Sequence, residues 1–209
     1  MSYVGPAFED TYLQRMKEGY ATNTFYLHKQ VYDSNGKPIE GMYADLNDDG
    51  EINTADLYCA NSPNPDFLMG FSSNLSYKKW SLGFSLRASL GNYAYNGTSM
   101  NMGALGVVSW NPFQINNMSA SYLETGFNGR QYLSDYYLED ASFLKMDNIT
   151  LGYDFGNITK WARLRLSAMV QNVFTITGYS GVDPEIYSGI ESSFYPRARI
   201  YSLGISLDF

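Results

Sequence analysis

The segment Arg199-Ile-Tyr-Ser-Leu-Gly-Ile-Ser-Leu-Asp-Phe209 alternates without interruption between two kinds of side chain. Large apolar residues occupy every second position, and these are Tyr201, Leu203, Ile205, Leu207 and Phe209. Side chains of a β-strand point alternately to its two faces, so the segment is predicted to be a strand with one apolar and one polar face. Its length suits a tilted strand that crosses a bilayer. The segment alone fits a half-buried strand of a soluble sheet equally well.

The same alternation recurs earlier in the chain. Residues 67 to 90 are predicted to form a hairpin that turns at Lys78 and Lys79, and residues 142 to 155 and 161 to 174 form two further strands. In the first of these two strands the apolar residues change phase at Asp147-Asn148, which predicts a β-bulge. Residues 19 to 32 are rich in β-branched and aromatic side chains and supply a sixth strand.

Composition excludes several classes of function. The net charge of -7 argues against nucleic acid, which needs clustered Lys and Arg. One His and one Cys leave no ligand set for a histidine zinc site and allow no internal disulfide. The sequence contains no apolar run of about 18 residues and no signal peptide. If the predicted strands belong to an outer-membrane barrel, they must reach that membrane by secretion, and the chain is then expected to be part of a longer precursor whose N-terminal part is missing.

The connections between the predicted strands alternate between long and short. Residues 33 to 66, 91 to 141 and 175 to 198 form long loops, whereas 78 to 79 and 156 to 160 form short turns at the other end. This asymmetry is typical of outer-membrane barrels, and it predicts an all-β, antiparallel, up-and-down transmembrane β-barrel segment. Aromatic residues near the short turns would form an interfacial girdle, namely Tyr77, Trp80, Tyr153, Phe155, Trp161 and Phe209. Small polar residues on the inner face suit a wide, water-filled lumen.

An acidic loop carries the pattern of a calcium site of the EF-hand or dockerin kind. Asp45, Asn47 and Asp49 stand at positions 1, 3 and 5, the Glu51 carbonyl at position 7 and Asp56 at position 12. Gly50 at position 6 allows the sharp turn. Position 12 departs from the usual Glu, and no flanking helix pair is evident. The alternative is an Asx-rich turn that satisfies its own polar groups.

Several motifs, in order, resemble the C-terminal portion of SusC/RagA-type TonB-dependent outer-membrane transporters of Bacteroidetes. The resemblance covers roughly residues 20 to 209, and its motifs are the acidic loop, Pro65–Phe71, Arg87–Asn96, Ala141–Tyr153, Val170–Glu185 and Tyr195–Arg197. It implies a barrel of about 22 strands, of which this chain would hold about six. The plug domain and the TonB-contacting segment would then lie upstream of residues 1 to 209, and this chain alone should not transport.

The resemblance also implies partners and a function. A SusD-like lipoprotein would cover the long loops, TonB would supply energy, outer-membrane lipid would surround the barrel, and the substrate would be a glycan or a peptide. Tyr93, Tyr95, Trp110, Phe113 and Tyr122 lie in the second long loop and could stack on sugar rings, although packing within the loop is the more common role of such aromatics. Bound calcium would keep the acidic loop rigid and would have no catalytic role.

Two interpretations from other classes remain open at this point. A soluble calcium-dependent carbohydrate-binding β-sandwich module would share the strand pattern, the acidic loop and the aromatics. An enzyme would need opposed catalytic groups, and Asp183 and Glu185 lie in one loop with no defined separation between their carboxyls. The sequence therefore predicts a protein that is not an enzyme.

Overall fold

The computed structural model describes the backbone of residues 2–8, 11–109, 117–192 and 195–209, and the side chains of residues 12–107, 117–192 and 195–209. The strands are, in chain order, β1 Ser2–Phe8, β2 Thr11–Met16, β3 Thr24–Leu27, β4 Gln30–Tyr32, β5 Pro38–Tyr43, β6 Tyr58–Cys59, β7 Phe67–Tyr77, β8 Trp80–Leu90, β9 Tyr93–Asn96, β10 Leu138–Asp140, β11 Phe143–Asn157, β12 Arg163–Thr177, β13 Ile190–Glu191 and β14 Ile200–Asp208. Short helices are α1 Gly97–Met102, α2 Leu105–Ser109 and α3 Ser121–Thr125, with 3-10 helices at Thr54–Asp56 and Asp135–Tyr137. Among the described residues, no helix has both the length and the apolar character that spanning a membrane requires.

The chain divides into two compact units. The loop unit comprises residues 1–65, 91–141 and 179–194, and the sheet unit comprises residues 66–90, 142–178 and 195–209. The loop unit therefore contains most of the three long loops predicted from the sequence, and the sheet unit contains five of the six predicted strands.

The sheet unit is one antiparallel sheet in the order β14-β12-β11-β8-β7. Residues paired across neighbouring strands share a face, and one row across all five strands is apolar: Leu75, Leu82, Leu151, Ala168 and Leu203. The next row is small and polar: Ser76, Ser81, Gly152, Ser167 and Gly204. The predicted alternation is thus confirmed in every strand of this sheet.

The apolar face of the sheet unit is open. Leu203 is 89% exposed and Ile205 is 73% exposed. A soluble β-sandwich would cover these side chains with a second sheet, because each large apolar residue gains about 1.5–3 kcal/mol on burial. The exposed face favours lipid as its neighbour over the soluble module.

Two predicted irregularities are present. Tyr77 pairs with Trp80, so Lys78 and Lys79 form the two-residue turn, with Lys78 at φ 55°. Asp147 is the extra residue between the pairs Met146–Leu86 and Asn148–Ser85, which confirms the bulge. Arg87 holds the bulged residue, since its Nε lies 2.5 Å from Asp147 Oδ2. The bulge keeps the apolar residues on both of its sides on one face of β11.

The loop unit contains the predicted segment 19 to 32, which gives β3 and β4 and does not join the five-stranded sheet. Its apolar core is formed by residues from distant parts of the chain, namely Leu13, Phe25, Leu27, Leu57, Tyr95, Met100, Leu133, Tyr137 and Ile190. The Gln30 side chain, 4% exposed, donates to the carbonyls of Val31, Ile39 and Met42 and accepts from Ser134 Oγ at 2.7 Å. The long loops therefore form a packed unit, because distant segments share one apolar core and the buried Gln30 side chain joins several of them by hydrogen bonds.

Candidate functional site

The acidic loop lies between β5 and β6. Gly50 has φ 81°, the left-handed conformation expected at position 6 of a calcium loop. The Gly50 amide donates to Asp45 Oδ2 at 2.8 Å, which folds the loop back on its first residue. The order and turn predicted from the sequence are therefore present.

Asn47 and Asp49 contact each other and the local backbone. Asn47 Nδ2 donates to Asp49 Oδ2 at 2.7 Å, and the Asp49 amide donates to Asn47 Oδ1 at 3.0 Å. The Glu51 amide donates to Asp49 Oδ1 at 2.8 Å. These are the Asx-type bonds by which such a turn satisfies its own polar groups.

Asp56, at position 12, is fully buried and forms a capping box. Its Oδ1 accepts from the Leu46 amide at 2.8 Å and its Oδ2 accepts from the Asn53 amide at 2.9 Å, while Asn53 Oδ1 accepts from the Ala55 amide. The Asn53 and Leu46 amides lower the pKa of Asp56 despite its burial. The carboxylate thus closes the loop at both of its ends.

The loop fits calcium in some respects and not in others. Asp45 Oδ1 is buried and has no hydrogen-bond partner, so it is available to a cation. Both oxygens of Asp56 already accept backbone hydrogen bonds. In the part of the chain that the structure describes, no three His, Cys, Asp or Glu side chains are grouped so that they could hold a metal ion. Calcium would have to compete with the hydrogen bonds that Asn47, Asp49 and Asp56 make within the loop.

The single histidine lies near this loop. The rings of His28 and Tyr43 stack with centroids 5.0 Å apart, and burial lowers the pKa of His28, although the charge of Asp56 acts in the opposite direction. His28 is therefore a neutral ring at pH 7. Its position beside Asp56 could not be read from the sequence, which separates the two residues widely.

The five aromatics predicted to meet a ligand have different positions. Tyr95 is fully buried in the apolar core, 6.1 Å from the Tyr137 ring, which corrects the prediction that it stacks on a sugar. Tyr93 is half-buried against the same core, and Tyr122 is half-buried on α3. Trp110 and Phe113 lie outside the described residues. The core needs large apolar side chains, and loop aromatics supply them.

A cavity of about 360 Å³ opens in the loop unit beside α1, α3 and β10. Its lining includes Glu124, Tyr136, Glu139 and Ser180, none of which the sequence analysis selected. Tyr136 Oη donates to Glu124 Oε2 at 3.2 Å, and burial together with Glu124 raises the pKa of Tyr136 to about 12. No spacing in the sequence indicates this group, because tertiary packing brings residues 99 to 180 together.

No family model matches the chain. The chain is 46% identical to the TonB-dependent receptor SusC of Bacteroides thetaiotaomicron over 209 residues, which is 96% of this chain and 21% of that protein. It is 29% identical to the TonB-dependent receptor P3 of Formosa agariphila, over 94% of this chain and 23% of that protein. The chain therefore spans about a fifth of the length of these curated relatives.

Solved structures give the same fold. The RagAB peptide importer in its open-open state matches 91% of this chain and 23% of the solved chain, with a TM-score of 0.69 and 22% sequence identity. The closed-closed state of the importer matches 94% of this chain with a TM-score of 0.65. At this level of identity the match bears on the fold alone.

The five-stranded antiparallel sheet and its similarity to the solved importer structures define the class of protein, a segment of an outer-membrane β-barrel. Within that class, the resemblance to SusC/RagA-type TonB-dependent transporters predicted from the motifs is confirmed. The relatives are receptors and transporters and not enzymes, and they place the protein in the outer membrane of Bacteroidetes.

Proposed function

We propose that the full-length protein imports oligosaccharides or peptides across the outer membrane. The observation that carries this proposal is the five-stranded sheet, whose exposed apolar face fits lipid and whose opposite face is lined by small polar residues such as Ser81, Gly152 and Ser167. Such a wall encloses water when the barrel is wide. The names of the matched proteins, a TonB-dependent receptor and a peptide importer, support the same function.

The proposed transporter has two partners. A SusD-like lipoprotein would bind over the loop unit and deliver substrate, and TonB would supply energy through a plug outside these 209 residues. Packed loops support this arrangement, because a core that includes Phe25, Tyr95 and Met100 gives a partner a rigid surface. The chain itself would be the C-terminal part of the barrel.

Uptake in intact cells tests the proposal. Cells that carry the full-length gene are supplied with labelled neutral oligosaccharides and labelled peptides of matched length. We expect uptake of one of these classes to be lost when TonB is deleted and to be strongly reduced when the neighbouring lipoprotein gene is deleted. Uptake that is unchanged by deletion of TonB would refute energised import by this protein.

We also propose that the acidic loop binds calcium as a structural ion. Asp45, Asn47, Asp49, the Glu51 carbonyl and Asp56 are the candidate ligands, and the unpartnered Asp45 Oδ1 supports the proposal. Calcium binding by the full-length protein is measured by titration calorimetry after chelation. Asp45→Asn should weaken binding about tenfold or more, whereas Asp48→Asn, which removes the same charge outside the ligand positions, should have a much smaller effect. Equal effects of the two variants would contradict a specific site.

A further inference from the structure

Two neighbouring connections at one end of the sheet unit carry exposed lysines. Lys78 and Lys79 form the turn between β7 and β8, and Lys160 lies in the connection from β11 to β12; we call these three residues the turn lysines. β8 pairs with β11, so the two connections lie side by side. Neither contains an acidic residue, although the whole chain has 21 acids against 14 bases. This end of the sheet therefore concentrates positive charge in an acidic protein.

The turn lysines are not neutralised by the protein. Asp154, at the same end of β11, lies on the polar face of the sheet and is held by Arg163 and Arg165 of β12. In the part of the chain that the structure describes, no carboxylate lies within ion-pair distance of a turn lysine. Their charges are therefore available to an anion from outside the sheet.

Aromatic side chains mark the lipid side of this end of the sheet. Trp80 and Tyr153 are paired across β8 and β11 on the apolar face, with ring centroids 4.6 Å apart. The Phe155 ring continues the contact at 4.6 Å from Tyr153, and Trp161 is 81% exposed. Trp and Tyr favour the boundary between the hydrocarbon and the lipid headgroups. The turn lysines therefore lie at the level of the headgroups.

The sheet also positions two of the ammonium groups. Lys78 Nζ lies 5.2 Å from the centre of the Tyr77 ring, which is on the apolar face. Lys79 Nζ donates to the Phe155 carbonyl at 3.4 Å, and the Asp154 amide donates to the Lys79 carbonyl at 2.8 Å. An ammonium group has three donors, so each lysine keeps donors for a further acceptor beside the lipid face.

The backbone does not account for a lysine at position 78. Lys78 has φ 55°, in the left-handed region that Gly, Asn and Asp adopt most readily. Two-residue hairpin turns accordingly favour Asn or Gly where φ is positive. Because the turn conformation gives no preference for lysine, the property that Lys78 contributes is its charged side chain.

An anionic phospholipid fits this surface better than a zwitterionic one. Its headgroup phosphate would meet the turn lysines while its acyl chains cover the apolar face. A zwitterionic headgroup would bring an ammonium group to the same place. The described residues of the two connections offer no carboxylate to receive that ammonium group. Charge complementarity therefore selects a lipid with a net negative headgroup.

We propose that the turn lysines bind the headgroup phosphate of an anionic phospholipid in the leaflet that faces the periplasm. The short turns of an outer-membrane barrel lie on that side of the membrane. The site is separate from the proposed import function, because substrate recognition does not depend on it. Lipid binding can therefore fail while import stands, and the reverse.

Lipid binding by the full-length protein in detergent tests the site, with native mass spectrometry as the measurement. The probes are phosphatidylglycerol, phosphatidylethanolamine and phosphatidylcholine with the same acyl chains, and glycerol phosphate as a soluble competitor. We expect phosphatidylglycerol to bind about tenfold or more tightly than either zwitterionic lipid. Glycerol phosphate at equal concentration should not displace it, because it lacks the acyl chains.

Matched variants separate the turn lysines from charge in general. Lys78→Asn combined with Lys79→Gln should abolish the preference for phosphatidylglycerol, and Asn is chosen because it tolerates positive φ. Lys17→Gln combined with Lys29→Gln removes the same charge from exposed positions of the loop unit and should keep the preference. Lys17 is a close match, since its Nζ lies 5.0 Å from the centre of the Tyr20 ring.

Two further variants cover a failure of the neutral double variant to assemble. Lys78→Arg combined with Lys79→Arg retains the charge and should retain the preference, whereas Lys160→Gln alone should reduce it about threefold. Equal affinity for phosphatidylglycerol and phosphatidylethanolamine would refute the site, as would an unchanged preference in the assembled neutral variants. Displacement by glycerol phosphate at equal concentration would assign the surface to a soluble phosphate instead of a lipid.

Discussion

Asp56 is the residue on which the acidic loop depends most. Its buried carboxylate accepts from the Leu46 and Asn53 amides, so Asp56→Ala leaves two backbone donors without a partner. We expect amide exchange across residues 45 to 56 of the full-length protein to become about tenfold faster, the scale of losing one helix cap. Hydrogen–deuterium exchange with mass spectrometry measures it. Glu51→Ala, an exposed side chain in the same loop, is the control and should behave as the unaltered protein.

The same carboxylate makes the loop sensitive to acid. The folded pKa of Asp56 is lowered below its ordinary value by the Asn53 and Leu46 amides. A lowered carboxyl pKa stabilises the fold above the unfolded pKa of about 3.9, and this stability is lost as pH falls through the folded pKa. We expect the rate of amide hydrogen exchange in residues 45 to 56, corrected for its intrinsic pH dependence, to rise below about pH 4. Asp56→Asn should abolish that rise, and an unchanged rise in the variant would assign it to another group.

At the level of single residues, the sequence predicted the local backbone conformation of the acidic loop well, but it did not predict which side chains are buried. The Gly50 turn and the order of Asp45, Asn47 and Asp49 are local, so spacing alone was sufficient. Whether Tyr95 faces a ligand or the core depends on Leu133 and Ile190, which pack there from distant segments. Spacing carries no information on such contacts, so the prediction for Tyr95 was wrong.

Among the elements, β14 allows a direct comparison of the two sheet faces. Leu203 is 89% exposed on the apolar face, and Ser202 precedes it on the polar face. Leu203→Arg should destabilise the barrel by about 2–4 kcal/mol, because a charge would enter the hydrocarbon. Ser202 lies on the face assigned to the lumen, so Ser202→Arg should destabilise the barrel much less. Urea unfolding of the full-length protein in lipid vesicles measures both, and equal losses would contradict the lipid-facing assignment.

The alternation of side chains between the two faces of β11 supplies a second prediction. An Ala inserted between Leu151 and Gly152 moves Tyr153 and Phe155 to the opposite face, because side chains alternate with period two. We expect the full-length variant to be absent from the outer-membrane fraction, measured by immunoblotting. The same insertion after Tyr187, a fully exposed loop residue, should leave the amount in the membrane unchanged. Normal assembly of the first variant would show that the strand absorbs the insertion as a bulge.

The elements of the sheet were largely predictable, since each strand carries its own alternation. The bulge at Asp147 was found because the apolar phase of β11 changes there. Opposite this bulge, β12 carries an extra residue of its own and places Asn172 at φ 53°. That irregularity left no such sign, because Val170 and Phe174 keep even spacing across it. The strands β6 and β13 of the loop unit were missed because two residues give too little pattern.

For the whole molecule, the open apolar face predicts how the isolated chain behaves. Expressed alone, residues 1 to 209 should form inclusion bodies or require detergent, because Leu151 and Leu203 on the apolar face of the sheet are exposed in the described part of the chain. Fractionation and size-exclusion chromatography measure it. A soluble monomer without detergent would favour the carbohydrate-binding module and contradict the barrel assignment.

The division into two units could be predicted only in part. Alternation shows which segments form the sheet, but it does not show that the loops share one core, because residues 13, 57, 100 and 190 give no common period. The cavity in the loop unit depends on that core. The position and lining of this cavity therefore could not be predicted from the sequence.

The unequal strand lengths have a consequence for the surrounding bilayer. β14 has 9 residues, whereas β11 and β12 have 15 each. At about 3.3 Å per residue and a tilt of about 40°, these lengths correspond to heights of roughly 23 Å and 38 Å, against an apolar band of about 25 Å. Longer acyl chains would therefore produce hydrophobic mismatch along β14 first, while the β11–β12 hairpin has height to spare. A change in membrane thickness should therefore affect this part of the barrel first at β14.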